Sequence, residues 1–109
     1  MEAKLAQKQA EVAALCRQFG VSRLEVFGSA AAGGFDPGRS DYDFIARFKP
    51  QPGLSMGGRF LGFSDALEAM LERKIDLMTD RPIDNPYLRA AVDATRITIY
   101  EESPAEASV

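Results

Sequence analysis

Three aspartates and one glycine–serine pair are the residues of this chain whose types and spacing could do chemistry. Asp41 and Asp43 stand two apart at the start of a segment, Asp41 to Phe48, in which Tyr42, Phe44, Ala46 and Phe48 alternate as on one face of a strand. Strand side chains alternate faces, so both carboxylates project together from the other side. Two anions so close raise a pKa or require a counter-charge, and no lysine or arginine alternates with them. A divalent cation is the natural neutraliser. Mg2+ suits such a pair, because it takes a few carboxylates and completes its shell with waters and substrate phosphates.

Asp76 lies in a second short strand, Ile75 to Thr79, between Ile75 and Leu77. A carboxylate among apolar residues is costly unless it faces a polar site. If the two strands are neighbours in one sheet, three carboxylates converge. Such a set can hold two metal ions roughly 3.5 to 4 Å apart, stabilising the attacking and leaving oxygens of phosphoryl transfer. Gly28-Ser29 sits where the β-branched and apolar run Val21 to Phe27 ends and Ala30-Ala31-Ala32 begins. A strand passing into a short helix there, with Ser29 as N-cap, aims backbone N–H groups and the helix dipole at an anion. Gly28 permits close approach, and the Ser29 hydroxyl can donate to a phosphate oxygen. Each piece has a plain reading alone: a turn with a cap, a solvated strand start, and Asp76 paired with Arg73 or Lys74. Their order along one sheet edge favours the functional reading.

The elements that must position these residues are legible. Leu5, Val12, Leu15, Cys16 and Phe19 recur at helical spacing over Glu2 to Phe19, and Gly20 stops the helix. Gly33, Gly34, Asp36, Pro37 and Gly38 form a turn-rich loop before Asp41. Lys49 to Gly58, with two prolines and three glycines, reads as a mobile surface loop. Phe60, Leu61, Phe63, Leu67, Met70 and Leu71 then define a second core-facing helix. Tyr87 to Asp93 reads as a third helix, Ile97 to Tyr100 as a last strand, and the polar tail from about residue 102 as disordered. Residues 1–109 are expected to form a single domain, an α+β fold.

Bulk properties narrow the chemistry. With 109 residues there is room for one core, and only about two thirds of the unfolded surface is buried at this size. There is no histidine and one cysteine, Cys16, which excludes zinc sites, histidine bases and an internal disulfide; Cys16 reads as a small buried apolar residue. A net charge of −3 with scattered lysines and arginines argues against direct nucleic-acid binding. Arg39 and Arg47 lie near the acidic residues but read as surface ion pairs. No apolar run approaches a membrane span or a signal peptide, and a cytoplasmic location is expected.

Taken together, Val26-Phe27-Gly28-Ser29, Ser40-Asp41-Tyr42-Asp43-Phe44, Lys74-Ile75-Asp76-Leu77, Asn85-Pro86-Tyr87-Leu88-Arg89 and Ile99-Tyr100 resemble the DNA polymerase β nucleotidyltransferase superfamily. Within it the chain looks like the minimal nucleotidyltransferases (MNT), often the antitoxins of HEPN/MNT toxin–antitoxin pairs, with the likeness running from Leu15 to Glu101. The resemblance implies a mixed β-sheet with helices packed on one face, and Gly28 and Ser29 holding the triphosphate of ATP. It also implies two Mg2+ ions on Asp41 and Asp43, with Asp76 as the third carboxylate that helps activate the attacking hydroxyl. The partner it implies is a HEPN ribonuclease whose tyrosine receives AMP and is silenced, in a possible homo- or hetero-oligomer. The chain departs from the pattern in two places. The loop between Ser29 and Asp41 is one residue longer than the commonest form, and Ala32 and Gly34 stand where relatives often carry an arginine and an acid. Loss of a guanidinium fork weakens triphosphate binding. An antitoxin acting by binding alone, and a transferase acting on a small molecule such as an antibiotic, are the alternative readings.

Overall fold

The computed structural model describes every residue except 35, 37–39, 52, 54, 82 and 103–109. The expectations for Pro37, Gly38, Arg39 and the tail beyond residue 102 therefore lie outside the described residues. Helices α1 (Ala3–Gln7) and α2 (Gln9–Phe19) lead into strand β1 (Val21–Phe27), and a one-turn helix α3 (Ser29–Ala32) follows. Then come β2 (Tyr42–Phe48), α4 (Met56–Leu71), β3 (Ile75–Thr79), α5 (Pro86–Thr95) and β4 (Ile97–Glu101). The four strands form one mixed sheet in the order β3-β2-β1-β4. β1 pairs antiparallel with β2 and β4, whereas β3 runs parallel to β2, as a strand reached through a crossover helix must.

Most of the apolar weight lies on one face. Leu24, Val26, Phe44 and Ala46 of the sheet meet Val12 and Cys16 of α2 and Phe63, Leu67 and Leu71 of α4 in one buried cluster. Phe63, Leu67 and Leu71 recur every four residues and are fully buried, each contributing about 1.5–3 kcal/mol by leaving water. Leu61, expected in that stripe, is 63% exposed because it falls on the outer side of α4. Burial pushes the Cys16 thiol up to about 12, so it behaves as an inert apolar group. On the opposite face a smaller cluster of Phe27, Ile45 and Val92 seats α5.

Several boundaries differ from the sequence expectation; α5 runs Pro86–Thr95 rather than Tyr87 to Asp93, and β2 starts at Tyr42 rather than Asp41. The first helix breaks at Lys8, whose φ −100° and ψ 14° leave the helical range, and its start is anchored separately: Glu2 N–H donates to the Ala30 carbonyl, and the Tyr42 hydroxyl donates to the Glu2 carboxylate. The loop after β2 ends at Ser55, whose Oγ accepts from Gly58 N–H at 3.2 Å and starts α4 at Met56, so Gly57 and Gly58 are helical. Strand β4 runs one residue past the expected Tyr100, to Glu101, and Glu102 N–H still reaches the Ser22 carbonyl at 2.8 Å.

Candidate active site

The strand order brings the sequence-predicted residues to one edge of the sheet. Asp43 and Asp76 are register partners across the parallel β2–β3 pair, so their side chains leave the same face side by side. Asp41, two residues before Asp43, stands just ahead of β2 with its side chain 41% exposed. On the other side of β2, Asp43 pairs with Phe27, the last residue of β1, which places Gly28 directly beside it. A Cβ on Gly28 would lie 2.7 Å from Asp43 Oδ2. Gly28 also holds φ 73° and ψ −151°, a conformation reserved for glycine. The corner therefore needs glycine twice over, for backbone and for space.

Electrostatics mark Asp43 as the strained member. Partial burial, with the Asp76 and Asp41 carboxylates adding to it, pushes its pKa up to about 6 from an ordinary 3.8. Asp41 has some relief: Arg73 approaches it at 3.8 Å while donating twice to the Ser40 carbonyl at 2.9 and 3.0 Å. Arg73 thus serves Asp41 and the backbone ahead of β2. Among the described residues, no group of three or more carboxylate or thiol ligands stands close enough, as placed, to hold a metal ion. What the chain supplies is an in-register pair, Asp43 and Asp76, with Asp41 next in line. The donor chemistry fits a hard divalent cation, because these are acid oxygens whose mutual repulsion a cation would relieve.

The Gly28-Ser29 corner is built differently from the sequence reading. Gly28, rather than Ser29, occupies the cap position of α3, and Ser29 is its first helical residue. The Gly28 N–H donates to Thr95 Oγ1 at 2.9 Å, and the Thr95 hydroxyl donates to the Ala91 carbonyl at 3.0 Å. Ala31 and Ala32 N–H donate to the Gly28 carbonyl at 3.1 and 3.0 Å, which leaves the Ser29 and Ala30 N–H groups as the donors of this corner without an acceptor among the described residues. Sequence reasoning missed Thr95, since a threonine near a helix end carries no signal for a contact 67 residues away. It also missed Arg96, whose Nε and Nη2 grip the buried Glu25 carboxylate of β1 at 2.7 and 2.8 Å. That bond holds the Glu25 carboxyl below its usual range. Together Thr95 and Arg96 fasten the end of α5 to β1 and steady the corner. Arg47 is turned to Asp80 at 2.8 Å, as a surface ion pair.

Comparison with known proteins identifies the family and the fold. A structure provisionally named a minimal nucleotidyltransferase shares 30% identity with a TM-score of 0.68, over 89% of this chain and 95% of that one. Two more distant structures share the fold. One is a toxin–antitoxin with AMP-PNP, at 17% identity and TM-score 0.64 over 92% of this chain and 78% of that one. The other is a tri-AMPylated Shewanella oneidensis HEPN toxin in complex with its MNT antitoxin, at 15% identity and TM-score 0.59, over 88% and 71%. No curated protein sequence matches the chain. The model of the nucleotidyltransferase domain matches residues 12–104, a span that includes Gly28, Ser29 and all three aspartates, and the chain belongs to that family.

Proposed function

We infer that this domain transfers AMP from ATP to a hydroxyl of a partner protein, a tyrosine of a HEPN ribonuclease, and so acts as the antitoxin of a toxin–antitoxin pair. The observation that carries the reading is the pairing of Asp43 with Asp76 in register across β2 and β3, with Gly28 close enough to Asp43 that no side chain fits between them. Mg2+ bound there supplies charge neutralisation for the triphosphate and the leaving group. Asp41 and Asp43 hold the ions, Asp76 completes the set, and Ser29 with the free N–H groups of α3 holds the phosphates. In the transfer the acceptor oxygen bonds to the α-phosphorus, the bond from that phosphorus to the β-phosphate oxygen breaks, and pyrophosphate leaves. The hydroxyl proton passes to the Asp76 carboxylate, which stands exposed at the sheet edge. The solved structures of AMP-PNP-bound and AMPylated toxin–antitoxin pairs on this fold support the nucleotide and the partner.

The test is mass spectrometry of the cognate HEPN protein after incubation with this domain, ATP and Mg2+. One AMP or more on a tyrosine is expected, absent with Asp43→Asn and absent in EDTA. An unmodified partner would contradict the reading. An antitoxin that acts by binding alone is the second reading, favoured by two features: Thr95 occupies the Gly28 N–H, and Ala32 stands where relatives often carry an arginine. Under it, neutralisation of the toxin survives Asp43→Asn.

A further inference from the structure

The sheet face that carries Asp43 continues along β2 through Ile45 to Arg47, and a cleft of about 340 Å³ opens over that stretch. At roughly 3.3 Å per residue, Ile45 and Arg47 lie about 7 and 13 Å from Asp43 along the strand. The cleft is lined by five arginines, Arg23, Arg47, Arg81, Arg89 and Arg96, against three carboxylates. This is a local excess of positive charge in a chain whose net charge is −3.

The carboxylates already have their partners. Glu25 and Asp93 share Arg96, and Asp80 takes Arg47. Arg81 makes no hydrogen bond or ion pair among the described residues. Arg89, 68% exposed, reaches only Asp93 at 3.8 Å, a carboxylate that Arg96 already holds at 2.9 Å. Arg23 is already engaged, by Thr98 Oγ1 at 3.1 Å, Glu101 at 3.4 Å and Glu25 at 3.6 Å, and its Nε is shut from solvent. The cleft thus presents two guanidinium groups beyond those its acids hold closely, Arg81 in the segment after β3 and Arg89 on α5.

We propose that this cleft is a recognition subsite for an acidic peptide segment of the protein acceptor, seating it alongside β2 so that its hydroxyl meets the Asp43–Asp76 edge. Guanidinium–carboxylate pairing is the mode the cleft already uses internally. Its two available guanidinium groups stand on separate segments, Arg81 after β3 and Arg89 on α5, which suits two carboxylates on one chain better than a single compact anion. The proposal rests on the reading of the acceptor as a protein, but binding can be measured without catalysis.

The experiment titrates a fluorescein-labelled hexaglutamate peptide and, separately, inorganic phosphate into the whole protein. The variants are R81E/R89E, the milder R81Q/R89Q, and R17E on the exposed side of α2 as a charge-matched control. Melting curves verify that each is folded, and affinity for a non-hydrolysable ATP analogue with Mg2+ is measured in parallel. Saturable peptide binding is expected, weakened at least about tenfold in R81E/R89E, less in R81Q/R89Q, and hardly at all in R17E, with ATP-analogue affinity unchanged. Absence of saturable peptide binding, equal binding by R81E/R89E, or tighter binding of phosphate than of peptide overturns the proposal. An equal loss of ATP-analogue affinity overturns it too, by making the cleft part of the nucleotide site. Arg-dependent peptide binding without any AMP transfer would leave this subsite standing and refute the transferase reading.

Discussion

Gly28 and Asp43 set limits on each other. The carboxylate oxygen occupies the space a methyl group would need, and the backbone at Gly28 has a positive φ. Gly28→Ala is therefore expected to lower stability by about 1–3 kcal/mol in denaturant titrations and to weaken Mg2+–ATP binding more than that loss of fold explains. Asp43 carries a signed pH dependence. Its folded pKa of about 6 lies above the ordinary 3.8, so the folded chain holds a proton that the unfolded chain has released. The stabilisation from that proton is complete below about pH 4 and lost as pH rises through 6. In metal-free buffer Asp43→Asn is expected to raise the melting temperature at pH 7.5 and to leave it nearly unchanged at pH 4. Equal shifts at both values would mean that the carboxylate is not crowded. These acids were legible as Asp-Tyr-Asp with a lone Asp in a later strand. Their crowding was not, because it depends on the register that sets Asp43 opposite Asp76.

Two contacts between elements hold the corner and the helical layer. Thr95 at the end of α5 accepts the Gly28 N–H. Thr95→Val keeps the shape and removes the acceptor, so a loss of about 1 kcal/mol is expected together with faster hydrogen exchange at the Gly28 amide, and Thr95→Ser should restore both. Arg59, buried in α4, donates to the carbonyls of Phe19, Gly20 and Lys49 at 3.0–3.1 Å and lies over the Phe48 ring, 5.3 Å from its centroid. It thereby caps the end of α2 and the end of β2 at once. Arg59→Ala leaves those carbonyls without a charged donor, and about 2–4 kcal/mol of destabilisation is expected from chemical denaturation. The sequence placed this arginine at the edge of a glycine-rich loop, since a residue that leaves its element to satisfy carbonyls 39 and 40 positions earlier has no local pattern. Strands β1 and β3 were readable to the residue, because β-branched runs bounded by glycine or charge need no tertiary information. The break at Lys8 was not, because Lys8 and its neighbours Gln7 and Gln9 are ordinary helix formers with no local stop signal.

Taken as a whole, the molecule stacks most of its helices on one face of a mixed sheet and seats α5 on the other, beside its acidic edge. A domain this small has little stability in reserve, and a ligand that binds only the folded state adds RT ln(1 + [L]/Kd). Crowded carboxylates that a cation would neutralise make that gain depend on metal. Calorimetric titration of a non-hydrolysable ATP analogue into the protein, with Mg2+ and then with EDTA, in the wild type and in Asp43→Asn, reads this dependence without a partner. Binding that requires Mg2+ and falls at least about a hundredfold in Asp43→Asn is the expected result. Binding of equal strength in EDTA, or undiminished in Asp43→Asn, would mean that the paired aspartates are not where metal and nucleotide meet.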